Sequence, residues 1–303
     1  VLQQGGNAVD AAITAAFTLA VVDGYNSGIG GGCFILIRTP NGKLFAFDGR
    51  EAAPRAAKPD MFLKNGKPVP GASQVGPLAT GVPGAVAAYE MAWRAAGRKP
   101  WSDLLEEPIS YAAHGFTIPE KYAERIRSNR RTLSQFPGSR EVLFDSTGEP
   151  REAGTKLVQL DLMKTLTGIQ LLGSKYFYRG PTSMLISQWM AQNGGILTLR
   201  DFRRYRPVDR TPVTSTYRGY TVVGFPPPSS GGVHVAQMLN ILEHFDLASV
   251  YQRSPINFKH VVTESMKLAF ADRAYWLGDP GYAKVPFGLV SKEYAKSLSA
   301  QID

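Results

Sequence analysis

A chain of 303 residues with 44% apolar and 19% charged residues is long enough for one large domain or two modest ones, and its composition excludes disorder as a whole-chain state. Its 34 Lys and Arg against 25 Asp and Glu give a formal charge of +9. The basic residues are spread along the chain, and their tightest groupings, Arg125 to Arg131 and Arg200 to Arg210, read as solvated faces without a nucleic-acid motif, so no nucleic acid is expected as a partner. A single cysteine, Cys33, excludes an internal disulfide and a thiolate metal cluster, and no apolar run reaches the roughly eighteen residues of a membrane span.

In chain order, Asn7 is an N-cap with Asp10 in the first turn of a helix over Ala8 to Val22, which is apolar almost all round and so expected to be buried, with the hairpin that follows as its neighbour. That hairpin is marked by Cys33 to Ile37 and Leu44 to Phe47 about a Pro40-Asn41-Gly42 turn, where Asn-Gly supplies positive φ. Helical patterns recur over Ala85 to Ala96, Trp101 to Gly115, Glu120 to Phe136, Asp161 to Leu172, Thr182 to Asn193, Val233 to Phe245 and Ile256 to Trp276. Residues 136 to 158 read as loop, and Tyr217 to Val223 as a strand or hairpin edge. No repeat and no strong composition break divides the chain, so a single domain over 1–303 is expected.

The glycine run Gly28-Ile29-Gly30-Gly31-Gly32 opens into a strand, whereas a phosphate cradle needs strand, glycine loop and then helix. The glycines therefore point to close backbone approach to a neighbour or ligand. Arg50 follows the second strand at a fixed sheet end, where its guanidinium could grip a carboxylate in bidentate fashion or instead brace Glu51 or Asp48. Cys33, in an apolar strand, reads as an inert thiol. His260 and Glu264, four apart, read as a surface pair rather than a metal site. Ser229-Ser230 before a helix reads as a cap, since the Gly-x-Ser-x-Gly elbow of a serine hydrolase is missing.

Taken together, Gly5 to Ala12, Ser27 to Gly32, Arg50-Glu51-Ala52-Ala53-Pro54, Gly194 to Thr198, Tyr217 to Tyr220, Pro226 to Gly232 and Leu277 to Pro280 make the chain resemble the large subunit of a gamma-glutamyltransferase (gamma-glutamyltranspeptidase). That family belongs to the N-terminal-nucleophile hydrolases, and Asp23 to Asn26 departs from the Pro-His-Ser-type run usual before its glycine loop. The resemblance implies an α+β fold, the large-subunit portion of an αββα sandwich, mostly helices with some core strands. It implies an autoprocessed two-subunit enzyme in which a small subunit carries the N-terminal catalytic threonine, so no catalytic residue is expected in this chain. The implied reaction cleaves γ-glutamyl amides such as glutathione through a γ-glutamyl-threonine ester, then passes the acyl group to water or to an amino-acid or peptide acceptor. Arg50 matches the family arginine that binds the substrate α-carboxylate. No cofactor and no metal are implied. A periplasmic or secreted location with a removed signal segment follows from the family, and an isolated chain that is inactive and poorly soluble is expected because a buried helix such as Ala8 to Val22 loses part of its cover without the partner. Two alternatives stand beside this reading: an acylase of the cephalosporin or glutaryl type, and a catalytically silent binding homologue.

Overall fold

The computed structural model describes Val1–Asp303. In chain order the elements are α1 (Ala8–Val22), β1 (Cys33–Arg38), β2 (Leu44–Gly49), β3 (Leu63–Lys64), β4 (Lys67–Pro68), α2 (Ala85–Ala96), α3 (Glu106–His114), β5 (Phe116–Thr117), α4 (Glu120–Ser128), α5 (Arg130–Leu133), α6 (Pro137–Leu143) and β6 (Lys156–Leu157). There follow α7 (Leu160–Leu172), α8 (Ser174–Arg179), α9 (Pro181–Gln192), α10 (Leu199–Arg204), β7 (Val208–Arg210), β8 (Val213–Tyr217), β9 (Tyr220–Gly224), α11 (Gly231–Leu242), α12 (Leu247–Arg253), α13 (Pro255–Trp276) and α14 (Lys292–Ser299). They cluster into two compact units, one of Val1–Cys33 with Asp48–Val208 and one of Phe34–Phe47 with Asp209–Asp303. No helix is long and apolar enough to cross a membrane.

In the first unit, α1 begins where its local signals place it. Asn7 Oδ1 accepts from the Val9 and Asp10 N–H groups at 2.9 and 3.0 Å, and the Asp10 carboxylate accepts from the Asn7 N–H at 2.8 Å, closing a capping box. Asp10 is fully buried, and it also accepts from the Arg98 and Lys99 N–H groups at 3.0 and 3.2 Å, which replaces the water its charge has lost. The helix packs on α2, α3 and the 3-10 turn Trp101–Leu105. Phe17 is wholly buried there with its ring against the edges of Tyr89 and Trp101. One stripe of α1 stays uncovered: Ala8, Ala12, Ala15 and Leu19, spaced on a single helical face.

The stretch expected as one helix over Glu120 to Phe136 divides at Asn129, whose side-chain amide donates to the Arg125 carbonyl at 2.9 Å and competes with the helical ladder. Conversely, α6 lies within residues expected as loop; Pro137 starts it at a position where the missing N–H is not needed. A satellite core of Ile118, Tyr122, Ala123, Ile126, Phe144 and Leu157 gathers these short elements.

Strands β1, β2 and β7 form a sheet in the order β1-β2-β7, and the second unit holds the hairpin β8-β9, paired antiparallel from Val213↔Gly224 to Tyr217↔Tyr220. Positive φ at Arg218 (48°) and Gly219 (86°) makes its two-residue turn. The β1-β2 turn is different from the one expected. Only Gly42 takes a positive φ, 84°, and its N–H donates to the Thr39 carbonyl at 2.9 Å, so Pro40-Asn41 form a type I turn closed by glycine. α11 packs against β8, β9, α13 and α14. Its close approach to β9 requires Gly224 and Gly232, because a Cβ on either would strike backbone of the other segment.

Candidate functional site

The glycine loop, the end of β2 and the segment after it form one fixture in the first unit. Gly31 offers its carbonyl to the N–H groups of Gly84 and Ala85 at 2.9 and 3.1 Å, so the loop caps the otherwise unsatisfied start of α2. A side chain at Gly32 would run into the Gly49 carbonyl at 2.6 Å and the Glu51 carboxylate at 2.7 Å. The glycines thus serve close approach, as their position before a strand implies, with the Glu51 carboxylate lying against them.

Arg50 sits between these contacts. Its N–H donates to Asp48 Oδ1 at 2.9 Å and its carbonyl accepts from the Tyr205 hydroxyl at 2.8 Å. Two residues on, Ala52 and Val82 exchange N–H···O bonds of 3.1 and 2.7 Å, and the Arg55 N–H donates to Asp201 Oδ1 at 3.1 Å. The backbone from Arg50 to Arg55 is therefore fastened at three points. Its side chain is treated differently: Arg50 is exposed, and its guanidinium forms no ion pair with Glu51 or any other residue of the chain. The bracing role that the sequence left open for Arg50 is not adopted, and Asp48 grips the backbone instead.

Asp201 acts through two sets of bonds. It is the N3 residue of a capping box with Thr198, accepting from the Thr198 N–H at 2.9 Å and hydroxyl at 2.6 Å, while holding Arg55. Burial works to raise its pKa, but the Thr198 hydroxyl, the N–H groups of Arg55 and Thr198 and the charge of Arg55 hold it below the ordinary value. Tyr205 stacks on Tyr178 with centroids 5.5 Å apart and planes at 10°. Burial raises the hydroxyl pKa of both, with the charge of Asp48 adding to it at Tyr205. Cys33 is partly buried, and its thiol is pushed up to about 12 by burial and then by Glu51 and Asp48, which keeps it unreactive.

The other sequence candidates lie elsewhere. Glu264 pairs with Lys267 at 2.8 Å rather than with His260. Ser230 occupies the N-cap of α11 without a side-chain cap bond, and Ser229 Oγ accepts only from the Gly231 N–H at 3.3 Å. Sequence reasoning missed Asp201 and Tyr205. The Thr198-x-x-Asp201 spacing is a legible capping signal, but nothing local ties Tyr205 to Arg50 across 155 positions.

The arrangement offers an exposed guanidinium on a fixed backbone beside an exposed carboxylate, suited to a small charged ligand rather than to acid–base chemistry. The family model described as Gamma-glutamyltranspeptidase matches residues 1–303. The chain belongs to the gamma-glutamyltranspeptidase family. Among relatives, the glutathione hydrolase proenzyme of Escherichia coli K12 is 40% identical over 305 aligned positions, covering 100% of this chain and 52% of its own. The acylase ACY 1 proenzyme of Pseudomonas sp. V22 is 36% identical, with 100% and 55% covered. The crystal structure of Helicobacter pylori gamma-glutamyltranspeptidase superimposes with a TM-score of 0.96 at 40% identity, covering 100% of this chain and 87% of that one. The chain spans about half the length of the curated relatives it matches. Its fold is the α+β large-subunit portion of the N-terminal-nucleophile hydrolases, as the resemblance implied.

Proposed function

We propose that this chain is the large-subunit portion of a glutathione hydrolase or γ-glutamyltransferase, and that Arg50 binds the α-carboxylate of the γ-glutamyl group. The observation that carries this reading is the contrast at Arg50: a backbone fastened on both sides and a guanidinium with no partner in its own chain. A planar donor pair held this way is preorganised for a carboxylate, because little freedom is lost on binding.

In this reading the nucleophile is the N-terminal threonine of a partner small subunit, consistent with the proenzyme names of the relatives. The threonine oxygen attacks the γ-glutamyl carbonyl, the amide nitrogen leaves with a proton, and a γ-glutamyl ester remains. Water gives glutamate, and an acceptor amine gives a new γ-glutamyl amide. Arg50 takes no part in bond making; it fixes the far end of the glutamyl group so that the carbonyl is presented in register. To test this, the chain is assayed for γ-glutamyl-p-nitroanilide cleavage alone and assembled with the threonine-bearing subunit. Turnover only in the assembled protein is expected. Turnover by this chain alone, or none in a correctly assembled protein, sinks the reading, the second outcome favouring a silent binding homologue.

A further inference from the structure

Tyr205 is the side chain that holds the Arg50 carbonyl, and it is itself held. Its ring lies flat on Tyr178, whose hydroxyl donates to the Pro83 carbonyl at 2.9 Å and accepts from the Ala87 N–H at 3.4 Å. Tyr178 is buried, so the stack is seated on a fixed base. On its other side, Gly84 approaches so closely that a Cβ there would collide with both the Gly49 carbonyl and the Tyr205 hydroxyl. The hydroxyl therefore has one place to sit, pointing at the peptide that carries Arg50.

That bond has a directional consequence. The peptide following Arg50 can rotate about its flanking dihedrals unless its carbonyl is anchored, and rotation there swings the Arg50 Cα–Cβ vector. Asp48 restrains the N–H on the preceding side; Tyr205 is the matching restraint on the following side. Between them the two fix the direction in which the guanidinium leaves the backbone, which bidentate pairing with a planar carboxylate demands.

We infer that Tyr205 is a positioning residue for carboxylate recognition, acting on Arg50 through its hydroxyl without touching substrate. The inference rests on Arg50 being the carboxylate-binding residue. Its test uses the assembled protein with two substrates, γ-glutamyl-p-nitroanilide and 4-aminobutanoyl-p-nitroanilide, which lacks only the α-carboxylate. Tyr205→Phe keeps the ring and its stack while removing the one bond. It is expected to raise KM for the γ-glutamyl substrate about 3- to 10-fold, the range corresponding to one net hydrogen bond, with kcat within about twofold. Efficiency towards the 4-aminobutanoyl substrate should stay unchanged. Tyr178→Phe, which removes the Pro83 bond but not the Arg50 bond, should lower the melting temperature without this selectivity. Equal losses on both substrates, or none on either, would overturn the inference. Arg50→Lys run alongside separates the two levels: if it is selective for the α-carboxylate and Tyr205→Phe is not, Tyr205 alone is withdrawn; if Arg50→Lys is itself unselective, the reading of Arg50 falls and takes Tyr205 with it.

Discussion

The Arg50 segment of the first unit and the polar face of α11 in the second use the same bond types to opposite ends. On α11, side chains bond to one another and to nearby backbone. The Lys292 ammonium donates to Asn240 Oδ1 at 2.7 Å, to the Thr216 carbonyl at 2.6 Å and to the Glu243 carboxylate; Asn240 also accepts from Ser215 and donates to the Val290 carbonyl. Asp272 accepts from the Tyr294 hydroxyl and from the amide of fully buried Gln237. Every charge in these clusters has a partner, which is what a network that holds helices together requires. Around Arg50 the bonds go to backbone groups, and the long cation is left over. In the second unit the charged side chains are matched by other side chains and backbone, although Gln237 Oε1 and His234 Nε2 stay buried without a partner; around Arg50 the backbone is held while the guanidinium is unmatched.

The sharpest way to break this comparison is Arg50→Lys in the assembled protein, which keeps the charge and loses the planar fork. Catalytic efficiency towards a γ-glutamyl substrate should fall roughly 30- to 1000-fold, the equivalent of about 2–4 kcal/mol, with an unchanged melting curve. A lowered melting temperature with intact kinetics would place Arg50 among the structural groups. Gly84→Ala sharpens the comparison from the other side, since the added methyl meets the Gly49 carbonyl and the Tyr205 hydroxyl. It should cost about 2–3 kcal/mol in a urea titration and raise KM as well, because the same contact displaces the Arg50 segment.

Asp272→Ala probes the second region, where Gln237 and Tyr294 lose their acceptor. A loss of about 1–3 kcal/mol on denaturation is expected, with the ratio of efficiencies towards the two anilides unaltered; a shifted ratio would erase the distinction between the regions. Cys33 gives the smallest effect. Native protein should resist iodoacetamide at pH 8, because the thiol is held protonated up to about 12. Unfolded, that thiol ionises at its ordinary 9.0, so the stability tied to its raised pKa is complete below pH 9 and is lost as pH climbs from 9 to 12. Rapid alkylation at pH 8 would contradict the burial described for it.

How far the sequence could be read depended on the distance between partners. The start of α1 was legible because Asn7 and Asp10 meet within one turn, and the β1-β2 hairpin because Pro40 to Gly42 is a local signal. Arg50 was legible as an exit from a strand, with its two possible partners named. The finding that Asp48 takes the Arg50 N–H rather than its guanidinium depends on geometry that spacing does not encode. The packing of α1 on other helices, the division at Asn129, and the roles of Asp201 and Tyr205 all depend on contacts remote in sequence or on competition between nearly equal local options. The helix α6 was missed because residues 136 to 158 read as loop, whereas Pro137 is a helix start.

The two bonds that close the Arg50–Arg55 segment come from residues 155 and 146 positions downstream. On a ribosome adding about 5–20 residues each second, Tyr205 emerges roughly 8 to 30 seconds after Arg50. For that interval the segment has its strand and its bonds to Asp48 and Val82 but lacks these two fastenings, which must await the closure of a loop of that size. The Arg50–Arg55 segment is therefore a late product of folding, completed only when α10 has docked.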